Sequence, residues 1–306
     1  KLGKSRNLVV FNGRIVPETD AVVNIMSPTA QFGLNVFEGL RGYWNENTKK
    51  LYIFRFSDHI SRLFESCKII GIETDYSMSE IWQLLVELLK QNNYTGDVAL
   101  RVIIYVDGKG SWSSLNKGEL CISPIVKPRK EPYNLQGHTA CISSWQRISD
   151  RSMPPRVKTG ANYVSGRYSQ LEAQRSGYDV PILLNAEGLV AEGPGACLFM
   201  IRRGKLVTPT INSILESLTR DTLIQLGAVD GFVAVERPIE RTELYVADEV
   251  FLCGSSAEIM PILSIDGVTI GNGRVGPTTL KLLEIYNNVA SHIDSSCLFS
   301  SWVTEV

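Results

Sequence analysis

The stretch CISPIVKPRKEPYN, from Cys121 to Asn134, decides how the chain is divided. It begins as a strand and ends in prolines and charges, a composition that neither a ladder nor a helix continues. A linker is expected over 127–134, with one folded block over 1–126 and another over 135–306.

Upstream, LVVFNGRIV (8–16) alternates around Asn12-Gly13, a two-residue hairpin signal. KLYIFRF (50–56) reads as a strand running into a helix over 57–70, capped by Ser57 or Asp58 and stopped at Gly71. Ser77 and Glu80 make a capping box before Ile81, Leu84, Leu85, Leu88 and Leu89, which repeat at helical spacing. DVALRVIIYV (97–106) is a near-continuous apolar strand, expected to be buried on both faces.

Downstream the pattern begins again. TACISSW (139–145) suits a strand and 162–176 a helix closed by Gly177. VPILLN (180–185) and LVAEG (189–193) suit one hairpin, and ACLFMIRRGKLVTP (196–209) another that turns at Arg203-Gly204. SILESLTRDTLIQL (213–226) is an amphipathic helix ending at Gly227, EVFLCG (249–254) a buried strand, and PTTLKLLEIYNNV (277–289) a further helix. Strands and helices mixed in two blocks, without regular βαβ alternation, predict α+β domains rather than a doubly wound sheet.

The bulk numbers narrow the function. Hydrophobic residues make up 44% of the 306 and charged residues 21%, an ordinary globular balance. Thirty-one basic and 32 acidic residues leave a net charge of −1, so there is no basic field to hold nucleic acid. No apolar run is long enough to span a bilayer, and KLGKSRNLVV lacks a signal-peptide core. The six cysteines form no CxxC pair and the three histidines are far apart in sequence, which points away from a disulfide framework and a metal site. The expectation is a reduced, cytoplasmic enzyme or binding protein without nucleic-acid or membrane partners.

What remains for chemistry is one lysine and three small-residue turns. Lys158, in RVKTGANY (156–163), follows Pro154-Pro155 and precedes Thr159, Gly160 and Ala161, which leave room for a close approach. The turns are AEGPGACLF (191–199), where Glu192 ends an apolar strand, ESLTRDT (216–222) and LCGSSAE (252–258). Turns rich in N–H and O–H donors suit a phosphate monoester. An amine, a carboxylate and such a cradle are together what pyridoxal phosphate (PLP) requires.

On these residues the chain resembles the class IV, or fold type IV, PLP enzymes, and within them the branched-chain amino-acid aminotransferases. The class signature runs through Glu192-Gly193-Pro194-Gly195, Leu198-Phe199, Thr208-Pro209 and Leu215 to Arg220. GLNVFEGLRGY (33–43), FRFSDHISRL (54–63) and GSSAEIMPI (254–262) are similar to segments of the branched-chain subgroup. The resemblance implies a small N-terminal domain, a larger C-terminal domain carrying the Schiff-base lysine, and a cofactor cleft at the domain interface.

It also implies roles by position. Lys158 would bind the cofactor's aldehyde and shuttle the substrate proton, and Glu192 would pair with the pyridinium nitrogen. Tyr163 would bond the phenolic oxygen, while Arg55, Leu218, Thr219 and Ser255 would hold the phosphate. Ser256 and Ala257 would present N–H groups to the substrate carboxylate, and Phe32, Phe37, Gly39, Arg41 and Arg101 would line the substrate pocket. For Phe32 and Phe37, plain core packing is the competing reading.

The implied activity is transfer of an amino group from a branched-chain L-amino acid to 2-oxoglutarate by a ping-pong mechanism, in a homodimer or larger homo-oligomer. The chain departs from the family pattern at Ala99, where the subgroup has tyrosine, at Ala196 and Cys197, where glutamate and asparagine are usual, at Ser217 for glycine, and at Phe32 for tyrosine. These substitutions leave open a class IV transaminase with another donor (a D-amino acid, an amine or a specialised metabolite), an aminodeoxychorismate-type lyase, and a binding protein that kept the fold.

Overall fold

The computed structural model describes residues 7–127, 136–293 and 297–306. The linker expected at 127–134 therefore falls, except for Lys127, outside the described residues. Two compact units form: the first from 1–129, 157–161 and 289–306, the second from 130–156 and 162–288. Strands and helices are numbered along the chain.

The first unit is an antiparallel sheet backed by two helices. Its strands are β1 Leu8–Phe11, β2 Arg14–Pro17, β3 Asn35–Asn45, β4 Lys50–Phe54, β5 Val98–Tyr105, β6 Glu119–Val126 and β16 Val303–Glu305, in the order β16-β4-β3-β5-β6-β1-β2. Its helices are α1 Pro28–Phe32, α2 Phe56–Ile70 and α3 Met78–Asn92. Asn12 and Gly13 both take positive φ, 52° and 70°, as the tight turn between β1 and β2 requires. The Ser77–Glu80 capping box opens α3 as expected. Helix α2 starts a residue before Ser57, with Arg55 at the N-cap in the left-handed region (φ 52°) and no side-chain cap bond.

Strand β5 is not buried on both faces. Val98, Leu100, Val102 and Ile104 face a core shared with Val36, Leu40, Ile60, Leu63 and Leu85, whereas Arg101 is exposed. A period of two along β3, β5 and β6 thus gives the sheet one apolar face under the helices and one mixed face.

The second unit holds a mixed sheet. Its strands are β7 His138–Gln146, β8 Val180–Leu184, β9 Glu192–Gly193, β10 Ala196–Arg202, β11 Lys205–Thr208, β12 Ala234–Glu236, β13 Glu249–Gly254, β14 Glu258–Ile265 and β15 Val268–Thr269. The main path is β12-β11-β10-β13-β14-β7-β8, with β9 on β10 and β15 on β14. Pairs β11–β12, β14–β7 and β7–β8 are parallel and the rest antiparallel. Helices α4 Asn162–Arg175, α5 Leu218–Val229, α6 Arg241–Tyr245 and α7 Pro277–Ala290 accompany it. Its core gathers Leu198, Met200, Val207, Val250, Leu252 and Ile262.

Two further expectations change and one is met over a shorter span. Residues 214–217 are not helical, following a short 3-10 turn over Ile211–Ser213: Ser217 caps α5 by accepting from the Arg220 N–H, and the helix runs through Gly227 to Val229. The hairpin expected between 180–185 and 189–193 forms over a short span, with Leu184 bridging Val190 and the Ala191 N–H donating to the Leu183 carbonyl at 2.9 Å, after which Glu192 and Gly193 pair with Cys197 and Ala196. The lysine segment, expected in the C-terminal domain, packs with the first unit. Thr159 bridges Val36, and the Lys158 carbonyl accepts from the Phe37 N–H at 2.9 Å.

Candidate active site

In the first unit, alternation along β3 sorts its side chains. Phe37, Gly39 and Arg41 stand opposite Ile103, Arg101 and Ala99 of β5, on the mixed face of the sheet. The Arg101 guanidinium lies 4.4 Å from the Phe37 ring centroid and the Lys158 Nζ 5.0 Å, so the ring is flanked by two cations. A Cβ on Gly39 would meet nothing within 4 Å, which leaves open space at the wall beside them. A cavity of about 410 Å³ adjoins, lined by Phe11, Val23, Phe37, Arg101, Ile103 and Tyr105 among others.

Position 99, on this same face, carries only a methyl group, so no hydroxyl reaches out beside Arg101. Arg41 is buried and lies over the Tyr43 ring. Phe32, at the end of α1, is 46% exposed, which rules out the core-packing reading for that residue. Phe37 is half-buried.

Several bonds fix the lysine segment itself. The Lys158 N–H donates to Ser66 Oγ on α2 at 3.1 Å, and the Gly160 N–H to Asn35 Oδ1 at 3.2 Å. A Cβ on Gly160 would stand 2.9 Å from that same oxygen, so a side chain there would displace the Asn35 amide from this bond. Arg55 is buried at the head of α2, with its Nε donating to Asp58 Oδ2 at 2.6 Å and its guanidinium 4.9 Å from the Trp302 ring centroid.

In the second unit, β9 and β10 carry Glu192 into the interior at 3% exposure. Its Oε1 accepts from Arg147 Nε at 2.7 Å and from the Leu215 N–H at 3.1 Å, while Oε2 receives the Cys197 thiol at 3.5 Å. Burial raises the Glu192 pKa, and Arg147 pulls against that rise without cancelling it. Burial also pushes the Cys197 thiol well up, so it stays protonated as a weak donor.

The Leu215 bond ties the loop before α5 to Glu192, and α5 then opens with Leu218 and Thr219 in its first turn, where N–H groups have no i−4 carbonyl. Tyr163 sits beside Gly195, 3.8 Å from where a Cβ there would lie. Helix α4 reaches that place because Gly166 lets it rest on Pro194. A Cβ on Gly254 would be 3.1 Å from the Gly195 carbonyl, so β13 also closes on this loop before the 255–257 turn, where Ser255 and Ala257 are half-buried and Ser256 exposed.

Each unit thus gathers part of the expected set. The first brings Phe37, Gly39, Arg41, Arg101 and Lys158 to one sheet face, with Arg55 at the head of α2 and Phe32 at the end of α1. The second brings Tyr163, Glu192, Thr219 and the 255–257 turn around one loop cluster.

Two groups escaped the sequence reading. Arg147, the ionic partner of Glu192, lies just past β7 and nothing in the local pattern marks it. Glu38 and Arg62 form a buried ion pair to which His59 is hydrogen-bonded. A signal for it existed: His59, Arg62 and Ser66 fall on the same helical stripe as Phe56, Ile60, Leu63 and Cys67.

Among the described residues, no group of three or more His, Cys, Asp or Glu is placed to hold a metal ion, and no helix is long and apolar enough to cross a membrane.

A family model for amino-transferase class IV matches residues 35–265. The chain is 39% identical over 306 residues to a probable branched-chain-amino-acid aminotransferase of Aquifex aeolicus, covering 99% of this chain and 97% of the relative. It is 34% identical to the branched-chain-amino-acid aminotransferase of Escherichia coli K12, covering 92% and 93%. Among solved structures, the branched-chain amino acid aminotransferase from Thermobaculum terrenum in its PLP-form superimposes with a TM-score of 0.92 at 40% identity, covering 99% of each chain.

Proposed function

We propose amino-group transfer between branched-chain substrates and 2-oxoglutarate, on the premise that the chain belongs to the class IV aminotransferases. It is a PLP-dependent transaminase. When bound, the cofactor supplies an aldehyde that condenses with amines and a ring that accepts the electron pair left at the substrate's Cα.

The chain's own residues then have the following tasks. Lys158 would provide the amine that holds the cofactor and would move the proton at the substrate's Cα. Glu192 keeps a proton on the ring nitrogen, and Tyr163 bonds the phenolic oxygen. Arg55, Leu218, Thr219 and Ser255 hold the phosphate. Ser256 and Ala257 orient the substrate carboxylate. Phe32, Phe37, Gly39 and Arg41 bound the substrate's side chain, with Arg101 as a cation at the wall.

One observation carries the cofactor assignment. Glu192 is a buried acid whose Oε1 has two strong donors and whose Oε2 has only a thiol at 3.5 Å, which suits acceptance of one more N–H donor such as a pyridinium. The first turn of α5 suits an anionic ligand in the same unit. Apolar lining with one guanidinium suits both an aliphatic donor and the distal carboxylate of 2-oxoglutarate. A homodimer in the cytoplasm belongs to this reading and is checked by light scattering and fractionation.

The purified holoprotein should be yellow, and borohydride should fix the cofactor covalently to the peptide containing Lys158. Lys158→Ala should abolish turnover. A panel of L-amino acids, D-amino acids and amines should give the fastest half-reactions with valine, leucine or isoleucine. Faster conversion of a D-amino acid or an amine would overturn the branched-chain assignment, and pyruvate release without an amino donor would point to a lyase.

A further inference from the structure

Glu38 lies on the core side of β3, between Val36 and Leu40, and is fully buried. Its Oε1 accepts from Arg62 Nε at 2.7 Å, and its Oε2 from Arg62 Nη2 at 2.8 Å and from His59 Nδ1 at 2.7 Å. Burial pushes the Glu38 carboxyl up, but Arg62 and His59 outweigh it and hold it well below the usual carboxylate range. The carboxylate can only accept, so His59 carries its proton on Nδ1.

A buried Glu–Arg ion pair of this kind, with a histidine bonded to it, is a weak source of stability compared with apolar packing of the same volume. Its position suggests another use. Both bonded side chains belong to α2, and one turn beyond Arg62 the same helix presents Ser66, the acceptor for the Lys158 N–H. The residue before Glu38 on β3 is Phe37, the donor to the Lys158 carbonyl. Both main-chain polar groups of Lys158 are therefore held by the two elements that the cluster joins. The Lys158 ammonium is also close enough to push the His59 pKa down, as the last of several influences led by burial.

We propose that Glu38, His59 and Arg62 are positioning residues: they clamp α2 to β3 and so fix the backbone, and with it the amine direction, of Lys158. The inference rests on Lys158 being the cofactor-bearing lysine.

The test combines amide hydrogen exchange on the full holoprotein with kinetics. Ser66→Ala removes the acceptor directly and should speed exchange of the Lys158 amide by about 10-fold or more, since this is its hydrogen bond. Glu38→Gln, which touches neither partner of that bond, should speed it comparably while core amides of β5 change little. It should also lower kcat by up to about 100-fold, with the donor KM within about 2-fold, as expected for a misdirected group. Because both variants loosen one segment, the double variant should lose little more than the worse single one.

His59→Asn keeps the bidentate Glu38–Arg62 pair and serves if Glu38→Gln does not fold; it should give the same pattern at smaller size. The proposal is overturned if Lys158 exchange is unchanged, if it rises only in step with the β5 amides, or if the two losses in kcat multiply independently. Borohydride capture at another lysine would remove the reading underneath it, whereas capture at Lys158 with any of those outcomes removes the positioning role alone.

Discussion

Replacing Arg147 with alanine leaves the Glu192 carboxyl buried with only the Leu215 N–H and the Cys197 thiol as donors. Removing one partner of a buried pair generally costs about 3–5 kcal/mol. Here the loss has a ceiling, because the stranded carboxyl escapes by taking up a proton. With an ordinary pKa of 4.5, that escape at pH 7 spans 7 − 4.5 = 2.5 units, about 3.4 kcal/mol. At pH 5.5 it spans one unit, about 1.4 kcal/mol.

The direction follows from linkage. Glu192 already sits above the ordinary carboxyl value, so in the window above 4.5 the folded chain binds more protons than the unfolded one, and ionisation weakens the fold as pH rises. Loss of Arg147 widens that window upward. Urea unfolding of the cofactor-free chain should therefore show a destabilisation that grows from pH 5.5 to pH 7 and stays under the ceiling plus about 1 kcal/mol for the lost hydrogen bond. Adding Glu192→Gln should remove the pH dependence. A loss equal at both pH values, or one that Glu192→Gln leaves unchanged, refutes the reasoning that Arg147 serves to keep Glu192 ionised.

Gly166→Ala would place a methyl 2.9 Å from Pro194 Cβ. Overpacking of this kind costs about 1–3 kcal/mol, and because it moves the helix carrying Tyr163, calorimetry should show a lower Tm together with weaker PLP affinity. His59 is buried and its pKa is lowered from the ordinary 6.5, chiefly by burial, so its contribution to stability is present above 6.5 and is lost as pH falls below that value. A Tm series from pH 8 to pH 5 should fall through this range, and His59→Asn should flatten it. Trp302→Ala removes the ring under the Arg55 guanidinium. A cation–π contact of about 0.5–2 kcal/mol converts to a PLP Kd weaker by about 2- to 30-fold, measured by fluorescence titration.

The sequence carried local structure well wherever one residue type fixes the backbone. Asn12-Gly13 and Arg203-Gly204 both form tight turns with positive φ, and Ser77 with Glu80 caps α3. It carried less where a choice depends on distant partners. SILES reads as helix by periodicity, yet the Leu215 N–H is drawn to Glu192, and Ser217 becomes a cap. The apolar run at 97–106 suggested two buried faces, but Arg101 opens one of them.

The motif residues of the candidate site could be nominated from the sequence, and their supports could not. Arg147 lies 45 residues from Glu192, and Glu38 lies 21 and 24 residues from His59 and Arg62, so only tertiary structure brings them together. The assignment of 157–161 to the first unit was likewise invisible, since it depends on main-chain bonds to β3 and α2 rather than on side-chain identity.

The alternation of β3 from Asn35 to Leu40 has a practical consequence for anyone wishing to retarget this protein. Phe37, which lines the cavity, and Gly39, where a Cβ would meet nothing within 4 Å, are the positions to vary in a combinatorial library, whereas Arg41 and Tyr43 farther along the strand are buried. The even neighbours Val36, Glu38 and Leu40 are keyed into the layer beneath and belong outside any such library. Substrate range and scaffold integrity are thus written on interleaved letters of a single strand.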